Sequence, residues 1–277
     1  NINMNTIAII ENWEGRFKKT SFETLSYSKK IANKSGLKLI ALTFGSSNPD
    51  ALIKYGADKI INVENLNFEK TSNIILANVA AKIIEENNGN AIIISNTNTG
   101  KSISPLLASK LNIGLITNAI SEPESHEPLI VKCKAFSSKA YVKYQSNYTS
   151  NIITLLPNSI GEIVEELGDG EIINNSYEYS DINNSINIIN RSTESEKIAL
   201  PDAEIVVSAG RGLKGPENWK MIEDLANVLD AGTACSKPVS DMGWRPHSEH
   251  VGQTGIAINP ELYIAIGISG AIQHLTG

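Results

Sequence analysis

The sequence contains little cysteine, few aromatic residues and no excess of basic charge. Its two cysteines, Cys133 and Cys235, are too few for a disulfide framework or a four-thiolate metal site, which favours a reducing compartment. Lysine and arginine number 24 against 30 aspartate and glutamate residues, a net charge of −6, so nucleic-acid binding through phosphate neutralisation is not expected. Charged residues make up 19% and hydrophobic residues 41%, a composition typical of a folded chain.

Long uninterrupted hydrophobic runs are also absent. The apolar stretch 262–272 is broken by Gly267, Ser269 and Gly270 and is shorter than the roughly 20 residues that a membrane helix needs. The amino-terminal residues lack the charged start and cleavage site of a secretory signal, so we expect a cytoplasmic protein. Because the sequence does not begin with Met and stops soon after a helical pattern, we expect it to be incomplete at its carboxyl end.

The chain has 277 residues, a little under twice a typical domain length of about 150, which allows one large domain or two small ones and favours two. Short apolar runs alternate with longer amphipathic ones in the first half, which predicts a parallel sheet with helices on its faces. The strand patterns are 6–11, 37–43, 58–63, 91–95 and 151–156, and the helix patterns are 22–32, 72–84 and 103–111. Two β-rich runs, 129–136 and 140–145, flank the polar turn 137–139 and predict an added antiparallel hairpin.

A polar segment separates the two predicted domains. Residues 168–195 are rich in Asn, Ser, Asp and Glu, which favours a loop and a connection between domains. We therefore predict an amino-terminal α/β domain over 1–195 and a second domain over 196–277. The second domain repeats a unit of buried strand, glycine turn and helix. Its predicted elements are strand 203–209, helix 216–230, strand 262–267 and a helix that begins near Ser269.

Glycine-containing turns are the candidate ligand-binding features of the second domain. Segment 210–215 fits G-x-G-x-x-G between a predicted strand and a predicted helix, the context in which this motif binds phosphate. Segment 267–274 is a second strand-to-helix turn, in which Ser269 is expected to cap the helix beside an anion. Segment 251–255 offers backbone amides and the Thr254 hydroxyl to a planar heterocycle. Two phosphate-type turns in one small domain point to a dinucleotide.

Several other patterns are incomplete. Residues 100–102 resemble the end of a P-loop, but Ser95 occupies the position of the required first glycine. Segment 247–250 supplies two histidines without a third metal ligand at a recognisable spacing. An NAD site needs an acidic residue at the end of the next strand, whereas Asp230 ends a helical pattern. An NAD-dependent dehydrogenase that uses 210–215, and a nucleotide-binding or scaffold module, remain as alternatives.

A set of short segments occurs in one order along the second domain. The segments are 208–214 (SAGRGLK), 235–238 (CSKP), 251–255 (VGQTG), 260–267 (PELYIAIG) and 268–274 (ISGAIQH). Together they resemble the alpha subunit of the electron transfer flavoproteins. The resemblance implies FAD as cofactor, a doubly wound FAD-binding domain that continues beyond Gly277, and a beta subunit bound largely by the first domain. It implies an electron carrier without substrate turnover of its own, linking acyl-CoA-type dehydrogenases of fatty acid beta-oxidation to a membrane quinone reductase.

The resemblance also implies positions around FAD. The implied cofactor-binding residues are Arg211, Ser236, Lys237, Val251, Gly252, Gln253, Thr254, Ser269, Gly270, Ala271, Ile272, Gln273 and His274. The first three are implied at the flavin ring and its ribityl arm, 251–254 at the N5 and C4 carbonyl edge, and 269–274 at the pyrophosphate and ribityl region. His274 is implied at the C2 carbonyl. Lys237 stands where the family usually has arginine, and its compact ammonium cannot stack on a ring as a guanidinium does.

Overall fold

The computed structural model describes residues 4–136, 140–164, 169–179, 186, 188–189 and 200–276. The chain divides into two compact units: unit 1 is Asn1–Cys133 with Val142–Ser192, and unit 2 is Lys134–Tyr141 with Thr193–Gly277. The predicted turn 137–139 and the predicted boundary at 195 lie outside the described residues. The placement of that boundary therefore stays a prediction.

Unit 1 is built on a mainly parallel sheet. The elements up to residue 175 are β1 (Asn5–Ile9), β2 (Asn12–Trp13), β3 (Arg16–Phe17), α1 (Lys19–Ser35), β4 (Lys38–Phe44), a 3-10 helix (Pro49–Tyr55), β5 (Lys59–Val63), α2 (Asn73–Glu86), β6 (Gly89–Ser95), α3 (Asn98–Leu111), β7 (Gly114–Ala119), β8 (Ser125–His126), β9 (Leu129–Ala135), β10 (Ala140–Ser146), β11 (Asn151–Leu155) and β12 (Glu171–Asn175). The end of β9 from Lys134 and the start of β10 up to Tyr141 are assigned to unit 2. Neighbouring strands follow the order β10-β9-β7-β11-β6-β1-β4-β5-β12. The strands from β11 to β12 in this order pair in parallel, and β9 pairs antiparallel with β7. The predicted parallel sheet with an antiparallel addition is confirmed.

Helices cover both faces of the central strands because those strands are apolar on both sides. Ile7 and Ile9 belong to the core layer formed with α2 and α3, whereas Ala8 and Ile10 belong to the layer formed with α1. Successive side chains of a strand point to opposite faces, so the continuous run Ile7–Ile10 supplies both layers.

Part of the predicted connection between domains is a strand. The expectation of a loop over 168–195 is wrong for Glu171–Asn175, which forms β12 and pairs in parallel with β5. The Asn62 amide of β5 donates to the Asn174 side-chain oxygen at 3.0 Å. A brief apolar pair such as Ile172-Ile173 does not signal a strand by itself. The open edge of β5 supplies its backbone partners, and composition cannot reveal that edge.

The segment at 100–102 has a structural role in unit 1. A Cβ atom at Gly100 would lie 1.9 Å from the carbonyl oxygen of Ser95, so glycine allows α3 to begin against the end of β6. Thr97 Oγ1 accepts a hydrogen bond from the Gly100 N–H at 3.0 Å and donates one to the Glu11 carboxylate. The Glu11 carboxylate therefore lies at the amino end of α3, the position where the helix dipole would otherwise stabilise a bound anion. The rejection of a P-loop agrees with this geometry.

Unit 2 contains a smaller parallel sheet. Its elements are a 3-10 helix (Leu200–Asp202), β13 (Ile205–Ala209), 3-10 helices (Arg211–Leu213 and Pro216–Asn218), α4 (Lys220–Leu229), β14 (Gly232–Cys235), α5 (Lys237–Asp241), a 3-10 helix (His247–Glu249), β15 (Leu262–Ile266) and α6 (Ile272–Leu275). The strand order is β14-β13-β15, with parallel pairing throughout. Ile222 and Ala226 of α4 pack with Val207 on one face, and Val251 packs with Val206 on the other.

Both predicted helices of unit 2 begin later than the sequence indicates. The pattern that starts at Pro216 opens with a 3-10 turn, and α4 itself begins at Lys220. The prediction that Ser269 caps a helix is wrong, because α6 begins at Ile272 after Ala271 and has no side-chain cap. Gly267 and Gly270 have φ values of 64° and 73°, so the chain turns twice before it becomes helical.

Candidate functional site

The sheet of unit 2 has a switch point between β13 and β15. From β13 the chain crosses to β14 on one side, and from β14 it returns to β15 on the other side. Ligands of parallel α/β sheets bind outside the carboxyl ends of the strands at such a point. Arg211 follows β13, Ser236 and Lys237 follow β14, and Ser269 follows β15. The fold therefore brings these predicted site residues to one edge of the sheet.

The glycines of segment 210–215 hold two turns together. The Gly210 N–H donates to the Ile266 carbonyl at 2.9 Å, and the Gly212 N–H donates to the Gly267 carbonyl at 3.0 Å. A Cβ atom at Gly212 would lie 2.6 Å from Gly267 Cα, so only glycine permits this approach. These glycines face protein, and 3-10 turns separate the motif from α4, so no helix start lies directly behind it as the NAD motif requires.

The turn after β15 offers free backbone donors. Ser269, Gly270 and Ala271 are exposed, and their N–H groups have no acceptor within the described part of the chain. No atom lies within 4 Å of the position that a Cβ atom at Gly270 would take. Successive amides that include a residue in the left-handed conformation form an anion-binding concavity. This donor set fits the pyrophosphate of a dinucleotide.

Two cations and a hydroxyl stand at the same edge. Arg211 and Lys237 are exposed, and neither forms an ion pair with any residue that the structure describes. Ser236 is the N-cap residue of α5, yet its hydroxyl makes no capping hydrogen bond. Positive charge at this edge suits phosphates and a ring that gains negative charge on reduction.

The loop 251–255 is fastened between β14 and the start of α6. The Val251 N–H donates to the Cys235 carbonyl at 3.1 Å, and the Gln253 N–H donates to the Gln273 carbonyl at 2.7 Å. Gly252 has a φ of 149°, and a Cβ atom there would lie 2.9 Å from the Gln273 oxygen. The loop backbone is thus fixed, while the side chains of Gln253 and Thr254 remain exposed.

His274 is hydrogen-bonded through both ring nitrogens. Nδ1 lies 2.9 Å from the Val251 carbonyl oxygen, and Nε2 lies 2.6 Å from the Tyr263 hydroxyl. Burial lowers the pKa of His274 and raises the pKa of Tyr263 to about 12. No sequence pattern singles out Tyr263; its inward position on β15 is the signal that could have indicated it.

His250, which the sequence analysis considered only as half of an incomplete metal pair, is buried directly before the 251–255 loop. It is 2% exposed, and its Nδ1 lies 2.8 Å from the position that a Cβ atom at Gly255 would take. Burial lowers the pKa of His250, and the charge of nearby His247 lowers it further. Within the described residues, no group of histidine, cysteine, aspartate and glutamate side chains is arranged to hold a metal.

Arg245 anchors the segment before this loop to α4. Its guanidinium donates to Glu249 at 2.6 Å and to Glu223 at 2.9 Å. It also lies over the Trp219 ring, 5.3 Å from the centroid. These contacts fix the approach to the 251–255 loop through a fork geometry that lysine could not reproduce.

The fold and the candidate site define an α/β protein whose second unit has, at its carboxyl edge, the donors and cations that a dinucleotide needs. Residues 199–277 match the electron transfer flavoprotein FAD-binding domain, and residues 6–173 match the electron transfer flavoprotein domain. The chain belongs to the electron transfer flavoprotein alpha subunit family, as the sequence predicts. Its cofactor is FAD, and the family implies a beta-subunit partner.

Curated relatives support this assignment over nearly the whole chain. The electron transfer flavoprotein alpha subunit of Syntrophomonas wolfei is 34% identical over 98% of this chain and 86% of its own length. The corresponding subunit of Bacillus subtilis is 30% identical over 98% and 84%. Subunit LctC of the Acetobacterium woodii lactate dehydrogenase (NAD(+),ferredoxin) is 26% identical over 97% and 66%. None of the helices in the described part of the chain has the length and hydropathy to cross a bilayer.

Proposed function

We propose that the chain carries electrons as the FAD-bound alpha subunit of a heterodimer, accepting them from dehydrogenases and passing them to a quinone-reducing respiratory acceptor. The observation that carries the proposal is the convergence of exposed cations and free backbone amides at the switch point of unit 2. Bound FAD supplies the redox chemistry, and the protein supplies binding, orientation and electrostatics. The chain is therefore an electron carrier without substrate turnover of its own, and we place it in the cytoplasm.

The residues around FAD follow from the same proposal. The amides of 269–271 bind the pyrophosphate, and the remainder of the segment to His274 orients the ribityl region and the C2 carbonyl. Residues 251–254 face the N5 and C4 carbonyl edge, where the Thr254 hydroxyl both donates and accepts hydrogen bonds. Arg211, Ser236 and Lys237 lie toward the ring and ribityl arm, where the two cations stabilise negative charge.

We propose acyl-CoA-type dehydrogenases as the electron donors and a membrane quinone reductase as the acceptor. Membership of the family supports an exchange of electrons with protein partners. The relative from Acetobacterium woodii is named as a subunit of a lactate dehydrogenase that uses NAD(+) and ferredoxin. Donor type must therefore be tested directly rather than taken from any one relative.

The test is co-expression of the chain with its beta subunit, followed by visible absorption spectroscopy and identification of the released flavin. We expect FAD, reduction on addition of an acyl-CoA dehydrogenase with its substrate, and reoxidation by a quinone reductase. A complex without flavin contradicts the proposal, and reduction only by lactate or NADH systems contradicts the donor assignment.

A matched pair of charge variants locates the site. Lys237→Ala removes a cation at the carboxyl edge. Lys220→Ala is the control, because it removes an exposed cation of α4 that pairs with Asp224. Weaker FAD binding in the first variant alone supports the placement. Equal FAD affinity in both variants contradicts it.

A further inference from the structure

Four successive backbone N–H groups of unit 1 donate hydrogen bonds to one carboxylate. They belong to the segment 158–161, which follows β11, and the carboxylate is that of Glu23 on α1. Glu23 Oε2 accepts the Asn158 N–H at 2.8 Å. Glu23 Oε1 accepts the N–H groups of the next three residues at 2.7, 2.8 and 3.1 Å. The four amides therefore surround a single bound anion.

The backbone of this segment has the form of an anion-binding nest. Asn158 and Gly161, its first and last residues, have φ values of 57° and 69°, whereas Ser159 and Ile160 between them do not have positive φ values. Successive amides in which ordinary and left-handed backbone alternate form a concavity that binds an anion. The Glu23 carboxylate supplies the negative charge that such a concavity requires.

The charge of Glu23 is buried and is compensated by these amides. Glu23 is 2% exposed, and no cation in the described part of the chain forms an ion pair with it. A buried carboxylate without partners is strongly unfavourable. Hydrogen bonds from N–H groups to a charged acceptor are stronger than those between neutral groups. The carboxylate and the nest therefore stabilise each other.

A second polar side chain of α1 binds the same segment through its main chain. Ser26 Oγ accepts the Ile163 N–H at 2.9 Å and donates to the Ile163 carbonyl oxygen at 3.2 Å. Glu23 and Ser26 lie three positions apart and hence on one face of the helix. In these contacts α1 holds backbone atoms of 158–163, and Glu23 contributes the charge.

We propose that residues 158–161 form an oxyanion-binding site that the chain fills with its own Glu23 carboxylate, and that the bound anion holds the segment 158–163 on α1. The ligand class is a carboxylate, because two oxygens on one carbon meet all four donors. The site lies in unit 1, so the inference does not depend on FAD binding in unit 2.

Replacement of Glu23 by alanine opens this site to a free ligand. Glu23→Ala keeps Cβ and removes Cγ with the carboxylate, so the missing group has the size and charge of acetate. Acetamide has nearly the same shape, but it carries no charge and offers one acceptor oxygen instead of two. We therefore expect the emptied nest to bind acetate and not acetamide.

The test is hydrogen–deuterium exchange with mass spectrometry on the heterodimer of this chain and its beta subunit. In Glu23→Ala the amides of 158–161 should exchange at least about tenfold faster, because one bond to a charged acceptor is worth about that factor in a local opening equilibrium. Acetate at constant ionic strength should restore slow exchange, and acetamide should not. Faster exchange without recovery in acetate, or equal recovery in acetamide, overturns the inference.

Two further variants separate the bound anion from the rest of the contact. Ser26→Ala is the matched control, because it removes bonds to the same segment and leaves the nest filled. The Ile163 amide should exchange faster in it, and recovery of that amide in acetate would reveal a general salt effect and refute the anion site. Glu23→Gln keeps the volume of the side chain and decides the matter if Glu23→Ala gives no folded complex. Its loss of charge should still accelerate exchange at 158–161, and exchange as slow as in the unaltered complex overturns the inference.

Discussion

The contact between the two glycine turns of unit 2 can be tested with Gly267→Ala. Gly267 has a φ of 64°, and a Cβ atom there would lie 2.9 Å from Gly212 Cα. Left-handed backbone costs an alanine about 1–2 kcal/mol. A Cβ atom that meets backbone cannot rotate away, and such overpacking costs about 1–3 kcal/mol more. With weakening of the Gly212 to Gly267 hydrogen bond, we expect a loss of about 2–5 kcal/mol in the free energy of unfolding.

Two other glycines separate strain from contact. Gly243 and Gly270 have φ values of 71° and 73°, and no atom lies within 4 Å of their Cβ positions. Gly243→Ala and Gly270→Ala should each cost only the strain, about 1–2 kcal/mol. Gly270→Ala should also weaken FAD binding, because its Cβ atom enters the proposed pyrophosphate cradle, whereas Gly243→Ala should not.

Denaturant unfolding followed by circular dichroism gives the three stabilities, and FAD titration of the heterodimers gives the affinities. The reasoning is refuted if Gly267→Ala costs no more stability than Gly243→Ala. It is also refuted if Gly270→Ala binds FAD as tightly as the unaltered protein.

Three further predictions concern charge. Glu23 is 2% exposed, and its carboxylate accepts hydrogen bonds from the four backbone N–H groups of residues 158–161 at 2.7–3.1 Å. Glu23→Gln should lower the free energy of unfolding by about 2–4 kcal/mol, because an amide cannot accept all of these bonds. A loss below about 0.5 kcal/mol in denaturant unfolding contradicts this role. The lowered pKa values of His250 and His274 mean that the unfolded chain binds protons first as pH falls below about 6.5. Stability should therefore fall from pH 7.5 to pH 5.5, less steeply in His250→Gln, and equal slopes in unfolding experiments would contradict the assignment. Lys237→Arg should raise the one-electron potentials of FAD in the complex by tens of millivolts, because a planar guanidinium can stack on the flavin ring and hold its charge nearer to it than a flexible ammonium does. A unit charge at about 4 Å is worth roughly 4 kcal/mol at an effective dielectric near 20, and about 59 mV corresponds to about 1.4 kcal/mol, so a partial displacement of the charge is enough. Coincident potentials of the two proteins in spectroelectrochemical titrations contradict the prediction.

The sequence predicts much of the fold because the patterns of this chain are local and strong. The run Ile7–Ile10 is apolar at successive positions, as a strand buried on both faces requires, and α2 follows the helical period of its apolar residues. β12 was missed because its stability depends on the edge of β5 rather than on its own composition. The late starts of α4 and α6 were missed because the preceding glycines and Pro216 admit turns as readily as helix.

Some features of the candidate site could also be predicted from the sequence, and others could not. The order of glycine segments between 208 and 274 indicates the family and the cofactor, and the family comparisons confirm both. The individual FAD contacts stay predictions. Sequence alone does not show that Gly210 and Gly212 contact the turn at Gly267 instead of opening toward a ligand. Nor does it show that Tyr263, eleven positions before His274, binds the same ring.

The sequence by itself determined the class of fold, the family and the chemical type of the ligand, because periodicity and short motifs are properties of neighbouring residues. Only the tertiary structure decided which amides remain free and which are used in packing, because that depends on turns brought together by parallel strands. It also decided the partners of the His274 ring, since the Tyr263 hydroxyl and the Val251 carbonyl reach its two nitrogens only through the fold.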